Sequence, residues 1–177
     1  MSPAEIRTAR VHLRRLRALD ADAFAALNAD PRVMEFFPRP WSRTESDAVL
    51  ARVCEAYKAR GFAPYAAEIG GTFAGVVGLS VPGFEAPFTP CVEILWRLRR
   101  QFWGRGYATE AAAAVLAMAF DSLALPEVLA FATVANRKST RVMEKIGMTR
   151  DVNGDFDHPL VAEPHLRRHV LYRAKSV

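Results

Sequence analysis

A strand-like run from Cys91 to Leu98 leads into Gln101-Phe102-Trp103-Gly104-Arg105-Gly106-Tyr107-Ala108, and an alanine-rich helical run from Tyr107 to Leu123 follows. A glycine loop that opens a helix bares main-chain N–H groups at the positive end of the helix dipole, where anions are favoured. Gly104 and Gly106 carry no Cβ, so the backbone can turn sharply and a ligand can come close. Arg97, Arg99, Arg100 and Arg105 crowd the same stretch. This order of elements predicts a chain folded around a phosphorylated ligand.

Two familiar glycine loops do not fit. A P-loop needs Lys and then Ser or Thr after its last glycine, whereas Tyr107-Ala108 stands here. A dinucleotide fingerprint wants Gly or Ala where Thr109 lies, and an acidic residue about twenty positions later at the end of a second strand. Asp121 is still inside the helical run, and Glu127 only begins the next strand.

The pattern that does fit is Gln/Arg-x-x-Gly-x-Gly/Ala after a strand, with Gln101, Gly104 and Gly106 at its fixed positions. Downstream, Asn136-Arg137-Lys138-Ser139-Thr140-Arg141-Val142-Met143-Glu144-Lys145-Ile146-Gly147-Met148 resembles the N-x-x-S-x-R-V-(L/M)-E-K-x-G-(F/M) segment of the RimJ/RimL-like branch of the GNAT N-acetyltransferase superfamily. Val92-Glu93-Ile94 through Trp103-Gly104 resembles the E-I-G-Y-x-L…W-G-x-G-Y-A-T-E-A block of the same branch. Two linked motifs in the right order are far more specific than either alone.

The resemblance implies a single domain over residues 1–177 with an α+β layered fold. Its mixed, mostly antiparallel sheet would have about six or seven strands flanked by about four helices, splayed to leave a V-shaped cofactor cleft. It implies acetyl-CoA as acetyl donor and a primary amine as acceptor, joined directly in a ternary complex, with no metal. Main chain around Trp96, Arg97 and Leu98 would hold the pantetheine arm. Amides from Gln101 through Trp103, Gly104, Arg105, Gly106, Tyr107 and Ala108 would hold the pyrophosphate. Arg99, Arg100 or Arg105 would reach the ribose phosphate. Asn136 would contact the cofactor arm.

The acceptor must lose a proton, and Glu93 on the cleft strand is the candidate base, its pKa raised by burial. A salt bridge to Arg97 on the same strand face is the alternative. Many relatives place a proton-donating tyrosine seven residues after the asparagine, where this chain has Met143. Ser139 is the available hydroxyl, as thiolate partner or as helix cap; water is the other source. His158, among the carboxylates of Asp155-Phe156-Asp157-His158-Pro159, reads as a structural turn or acceptor-site residue or as a second candidate base, and with no other histidine at ligand spacing it argues against zinc. Phe36, Phe37 and Trp41 read as core or as acceptor lining.

The remaining composition bounds the alternatives. A chain of 177 residues with 51% hydrophobic and 24% charged residues suits one globular domain. No apolar run approaches the ~20 residues of a membrane span, and the N-terminus shows no secretory signal. Cys54 and Cys91 read as reduced core thiols in preference to a disulfide, which places the protein in the cytoplasm. A net charge of +5 admits nucleic acid, but the arginines are scattered and no stacking platform accompanies them. Monomer and homodimer both stay open. A coenzyme A-binding regulatory module without catalysis, for which Met143 speaks, and an RNA-binding accessory protein are the rival readings.

Local patterns predict strands over Val11–Leu16, Tyr65–Ile69, Phe73–Ser80, Cys91–Leu98, Glu127–Val134 and His169–Arg173. Helices are predicted from Asp20 or Asp22, from Ser42 or Thr44 to Gly61 with Ala48, Leu50, Ala51, Cys54 and Tyr57 inward, and over Lys138–Ile146. Pro82–Pro90 and Asp155–Pro159 read as loops.

Overall fold

The computed structural model describes residues 1–176. One mixed sheet carries β1 (Glu5–Arg7), β2 (His12–Arg15), β3 (Pro64–Ile69), β4 (Thr72–Ser80), β5 (Glu93–Leu98), β6 (Glu127–Thr133), β7 (Thr149–Asp157) and β8 (Arg168–Lys175). Their order across the sheet is β1-β2-β3-β4-β5-β6-β8-β7, antiparallel throughout except for β5 beside β6. The helices are α1 (Ala21–Ala29), α2 (Arg43–Arg60), α3 (Tyr107–Asp121), α4 (Arg137–Lys145) and the short α5 (Pro164–Arg167). This is the expected α+β layering, with eight strands and five helices.

Each expected strand is present, and two more join them. β1 is only three residues of mixed polarity. β7 has the sequence Thr-Arg-Asp-Val-Asn-Gly-Asp-Phe-Asp, which reads as turn and loop; Asp155–Asp157 therefore lie in a strand, a correction to the loop expected there. It pairs nonetheless because its acids meet cations from its own chain. Asp151 holds Arg173 of β8 at 2.7 Å, and Arg150 holds Asp155 at 2.6 Å. The register shifts between Asp151 and Phe156, so the polar Asn153-Gly154 step bulges out of the ladder at the sheet edge.

The β3–β4 hairpin turns at Gly70-Gly71, both at positive φ, as the glycine pair required. Ser42 caps α2 in a capping box with Glu45. The inward stripe of α2 differs from expectation: Ser46, Leu50 and Tyr57 are buried, while Ala48 and Ala51 face solvent. Asp20 precedes α1 without capping it by its side chain. Its carboxylate takes the Arg14 guanidinium at 2.7 Å instead.

The core lies on both faces of the sheet. On one, Ala112, Val115 and Ala119 of α3 pack on Ile94, Leu98, Val128 and Tyr172. On the other, Phe24, Leu27 and Leu50 of α1 and α2 pack on Ala66, Phe73 and Val76. The latter two helices cover β2–β4 and reach Leu95 and Arg97 of β5. Both cysteines are free thiols. Among the described residues no helix is long and apolar enough to cross a membrane.

Candidate active site

The sheet opens between β5 and β6. Their register contains a single pair, Glu93 opposite Leu129, closed by the bond from Leu129 N–H to Val92 O at 2.9 Å. Past that point the strands part, while β5 stays laddered to β4 along its other edge. Arg99 N–H donates to Ala74 O at 2.7 Å, so the odd-numbered groups serve β4. By alternation, the N–H and C=O of Trp96 face the gap. Leu98 O is already taken by Trp103 Nε1 at 2.7 Å. The expected V-shaped cleft and its open strand edge are thus in place beside Trp96.

The glycine loop lies at the end of this edge. Gly104 and Gly106 sit at φ of 72° and 80°, a region costly to other residues. The first main-chain bond of the helix runs from Glu110 N–H to Gly106 O, and no side chain caps the terminus. Among the described residues, the N–H groups of Gly104 through Thr109 have no protein acceptor. They form the first-turn donor array that suits a bound phosphate.

The arginines divide more sharply than the sequence suggested. Arg100 and Arg105 are exposed at the loop. Arg99 turns back onto Phe73, its guanidinium 5.9 Å from the ring. The Arg97 side chain leaves the loop altogether and enters the layer under α1 and α2. There it donates to Asn28 Oδ1 and lies 4.5 Å from the Phe37 ring and 4.6 Å from the Trp41 ring. Phe37 and Trp41 are half-buried walls of this slot, and Trp41 also packs against the core cluster under α1 and α2.

Asn136 begins α4 and accepts from Ser139 N–H at 3.1 Å. Asn136 is therefore the cap. Ser139 is not, and its half-buried hydroxyl has no partner among the described residues. Lys138, one residue earlier, lies 4.5 Å over the Trp103 ring and ties this turn to the glycine loop. Met143 is 1% exposed within the main core. It is a packing residue, so its lack of a proton carries no weight for an inactive module.

Glu93 projects on the same face as Leu95 and Arg97. It forms no salt bridge with Arg97; that alternative is not realised. Partly buried at the base of the cleft and ringed by protein, it is pushed up to about 7 by burial, with the Ser80 hydroxyl pulling the other way. A carboxyl group titrating there is matched to proton transfer at neutral pH.

The far wall on this face is aromatic. Phe84 and Phe88 of the proline-rich loop pack against Phe131 of β6 and Phe156 of β7, with ring centroids 4.8 to 6.1 Å apart. His158 joins them, 4.4 Å from Phe84. His169 of β8 stands 5.0 Å from His158, so His158 is not the isolated histidine that its sequence neighbours implied. Burial, and then the charge of His169, holds His158 down at about 4, so it stays neutral at physiological pH. Among the described residues no three metal-ligating side chains gather.

Sequence reasoning missed one device. Glu110, in the first turn of α3, accepts from the Thr8 hydroxyl at 2.6 Å and from Arg10 N–H at 2.8 Å, and binds the Arg10 guanidinium at 2.7 Å. Arg10 also donates to Arg105 O at 3.0 Å and lies 4.8 Å over the Tyr107 ring. The turn between β1 and β2 therefore clasps the glycine loop from outside. Glu110 is the glutamate of the W-G-x-G-Y-A-T-E-A block, which was the available signal; Thr8 and Arg10, about a hundred residues away, gave none.

The comparisons agree with this geometry. The family model described as an acetyltransferase (GNAT) domain matches residues 10–149. The chain is 32% identical over 151 residues to FsC-acetyl coenzyme A-N(2)-transacetylase of Aspergillus fumigatus, spanning 81% of this chain and 64% of that longer protein. An acetyltransferase structure from Agrobacterium tumefaciens superposes with a TM-score of 0.78 at 29% identity, covering 99% of this chain and 96% of the other. The ribosomal L7/L12 α-N-protein acetyltransferase RimL in complex with coenzyme A shares the fold, with a TM-score of 0.79 at 17% identity over 97% and 98% of the two chains. The splayed strand pair, the glycine loop and the matched family model together show that this chain belongs to the GNAT acetyltransferase family.

Proposed function

We propose that the protein transfers an acetyl group from acetyl-CoA to a primary amine, a peptide or protein N-terminus or a small amine, by direct attack in a ternary complex. The observation that carries this reading is Glu93. A carboxyl group poised near neutrality lies on the strand that borders the cleft, and the anion-binding loop lies at the end of that strand. A pure coenzyme A binder has no use for a base held there against the cost of burial.

The residues divide the work. The open N–H groups from Gly104 to Thr109 suit the pyrophosphate, and Arg100, Arg105 and Lys138 supply cations around it. The Trp96 main chain suits the amide groups of the pantetheine arm, and its N–H can receive the charge that develops on the thioester oxygen. Acetyl-CoA, when bound, supplies the thioester carbonyl. Glu93 takes the proton from the ammonium, directly or through one water, and frees the lone pair for attack. As the carbon–sulfur bond breaks, the sulfur takes a proton from water or from the Ser139 hydroxyl, which no protein group engages. The free thiols Cys54 and Cys91 support a reducing, cytoplasmic setting.

Thiol release from acetyl-CoA across a panel of primary amines tests this reading. We expect acceptor-dependent release of free coenzyme A with matching acetyl-amine product by mass spectrometry. Coenzyme A binding with no acceptor-dependent release from any amine would leave a binding module in its place.

A further inference from the structure

Arg97 is the enclosed charge that this acetyl-transfer chemistry does not use. Two other partly buried arginines are neutralised by carboxylates. Arg14 meets Asp20 and Glu68, each at 2.7 Å, and Arg173 meets Asp151 at 2.7 Å and Glu127 at 2.9 Å. Among the described residues Arg97 has no carboxylate partner. Its Nη1 donates to Asn28 Oδ1, its Nε is buried without an acceptor, and its Nη2 has no protein acceptor. Burial alone pulls its pKa down to about 10. An uncompensated charge in such a place costs several kcal/mol, far more than flanking aromatic rings return.

The slot around it is built. Asn28 is 0% exposed and is itself fixed. Its Nδ2 reaches Ser46 Oγ at 3.3 Å, and its carbonyl accepts from Trp41 N–H at 3.0 Å. Phe37 and Trp41 wall the guanidinium, and both belong to the loop between α1 and α2. A planar cation between aromatic walls, with one nitrogen anchored and donors to spare, matches the flat, two-oxygen geometry of a carboxylate.

We propose that Arg97 anchors a carboxylate carried by the acceptor, so that the substrates are amines bearing a carboxylate several bonds from the nitrogen. The spacing follows from the strand. Glu93 and Arg97 lie on one face four residues apart, so their Cα atoms are roughly 13 Å apart. An acceptor that spans from base to anchor is a longer amino acid or a short peptide with an acidic group. The inference rests on the acetyl-transfer reading for the position of the amine, but the anchor itself does not.

Two measurements test it and separate the two claims. The first compares kcat/KM for matched pairs of ω-amino carboxylates and their carboxamides of increasing chain length. The wild type should prefer the carboxylates by about tenfold or more, as loss of a charge-assisted contact implies. The ratio should collapse toward unity in Arg97→Met and be partly kept in Arg97→Lys; because it is taken within each variant, a general loss of activity cancels. The second needs no turnover: titration of the wild type with glutarate should quench Trp41 fluorescence saturably, glutaramide should not, and Trp41→Phe should remove the signal. Equal use of carboxylates and carboxamides, or no difference between glutarate and glutaramide, overturns the anchor. With the glycine loop saturated by coenzyme A, quenching of Trp41 by inorganic phosphate at lower concentration than by glutarate overturns the carboxylate assignment. Glutarate binding without acetylation of any amine keeps the anchor and removes the transferase reading.

Discussion

Holding Glu93 where it sits costs the folded state. Its folded pKa of about 7 lies above the ordinary 4.5, so the native protein binds that proton more tightly than the unfolded chain does. Below pH 4.5 both states are protonated and the penalty is absent; it grows as pH rises and is complete above about 7. The gap corresponds to on the order of 3 kcal/mol. Glu93→Gln should therefore raise the melting temperature by several degrees at pH 8.5 and leave it unchanged at pH 4. In the same variant the acidic limb of the kcat/KM profile near pH 7 should vanish, with the largest loss of activity above that pH, where the wild-type group is ionised. A limb that persists in the glutamine variant takes the base role from Glu93. The position of this glutamate was legible in its motif, but burial makes it a base, and only the pairing of β5 between Ser80 of β4 and Leu129 of β6 encloses it. Ser139 shows the opposite limit: its cap reading is removed by the side-chain carbonyl of Asn136, which accepts from the Ser139 N–H.

On the proposed reading, the α3 entrance is the element on which coenzyme A binding depends. Added side chains would meet no atom at Gly104, so the obstacle there is backbone conformation and the approach of the ligand, not a clash. Gly104→Val should cost about 1–2 kcal/mol of stability and raise the Kd for coenzyme A by more than tenfold in calorimetry. Unchanged affinity in a folded variant would refute the loop assignment. Glu110→Ala removes the bonds to Thr8 and Arg10 without touching the loop, and should raise KM for acetyl-CoA several-fold while kcat changes little. An unaltered KM would leave the clasp a purely structural tie. At this scale the sequence was a good guide wherever periodicity and caps agreed, as in α2, α3 and the glycine hairpin. It failed on β7, whose Asn-Gly step and three acids mimic a loop. The ion pairs that tie β7 to β8, Asp151 with Arg173 and Asp157 with Arg168, come from pairing, which local pattern does not encode. The same applies to Arg97: its neighbours in sequence are loop arginines, and its neighbours in space lie in a different layer.

Across the whole molecule, the sheet is two antiparallel blocks joined at β5 and β6 by one register pair and by the helices packed over the seam. A ligand that fills the gap ties the blocks together, so its binding should appear as stability. At a hundredfold excess over Kd, linkage adds about 2.7 kcal/mol, which for a domain of this size is roughly 5–11 °C in Tm. Hydrogen exchange should slow with acetyl-CoA on both β5 and β6, beyond any change in β1–β3. Protection confined to the α3 terminus would mean that the ligand does not reach into the gap.

The aromatic far wall has a consequence for how such a catalyst can diversify. On the proposed reading the coenzyme would meet mainly peptide groups, which most point mutations leave alone. Phe84 and Phe88 hang on a surface loop, and Phe37 and Trp41 on another. Exchanging those two loops alone should redirect the enzyme to new amines while the donor half continues to work, so selection can explore acceptor chemistry without putting the ancestral cofactor at risk.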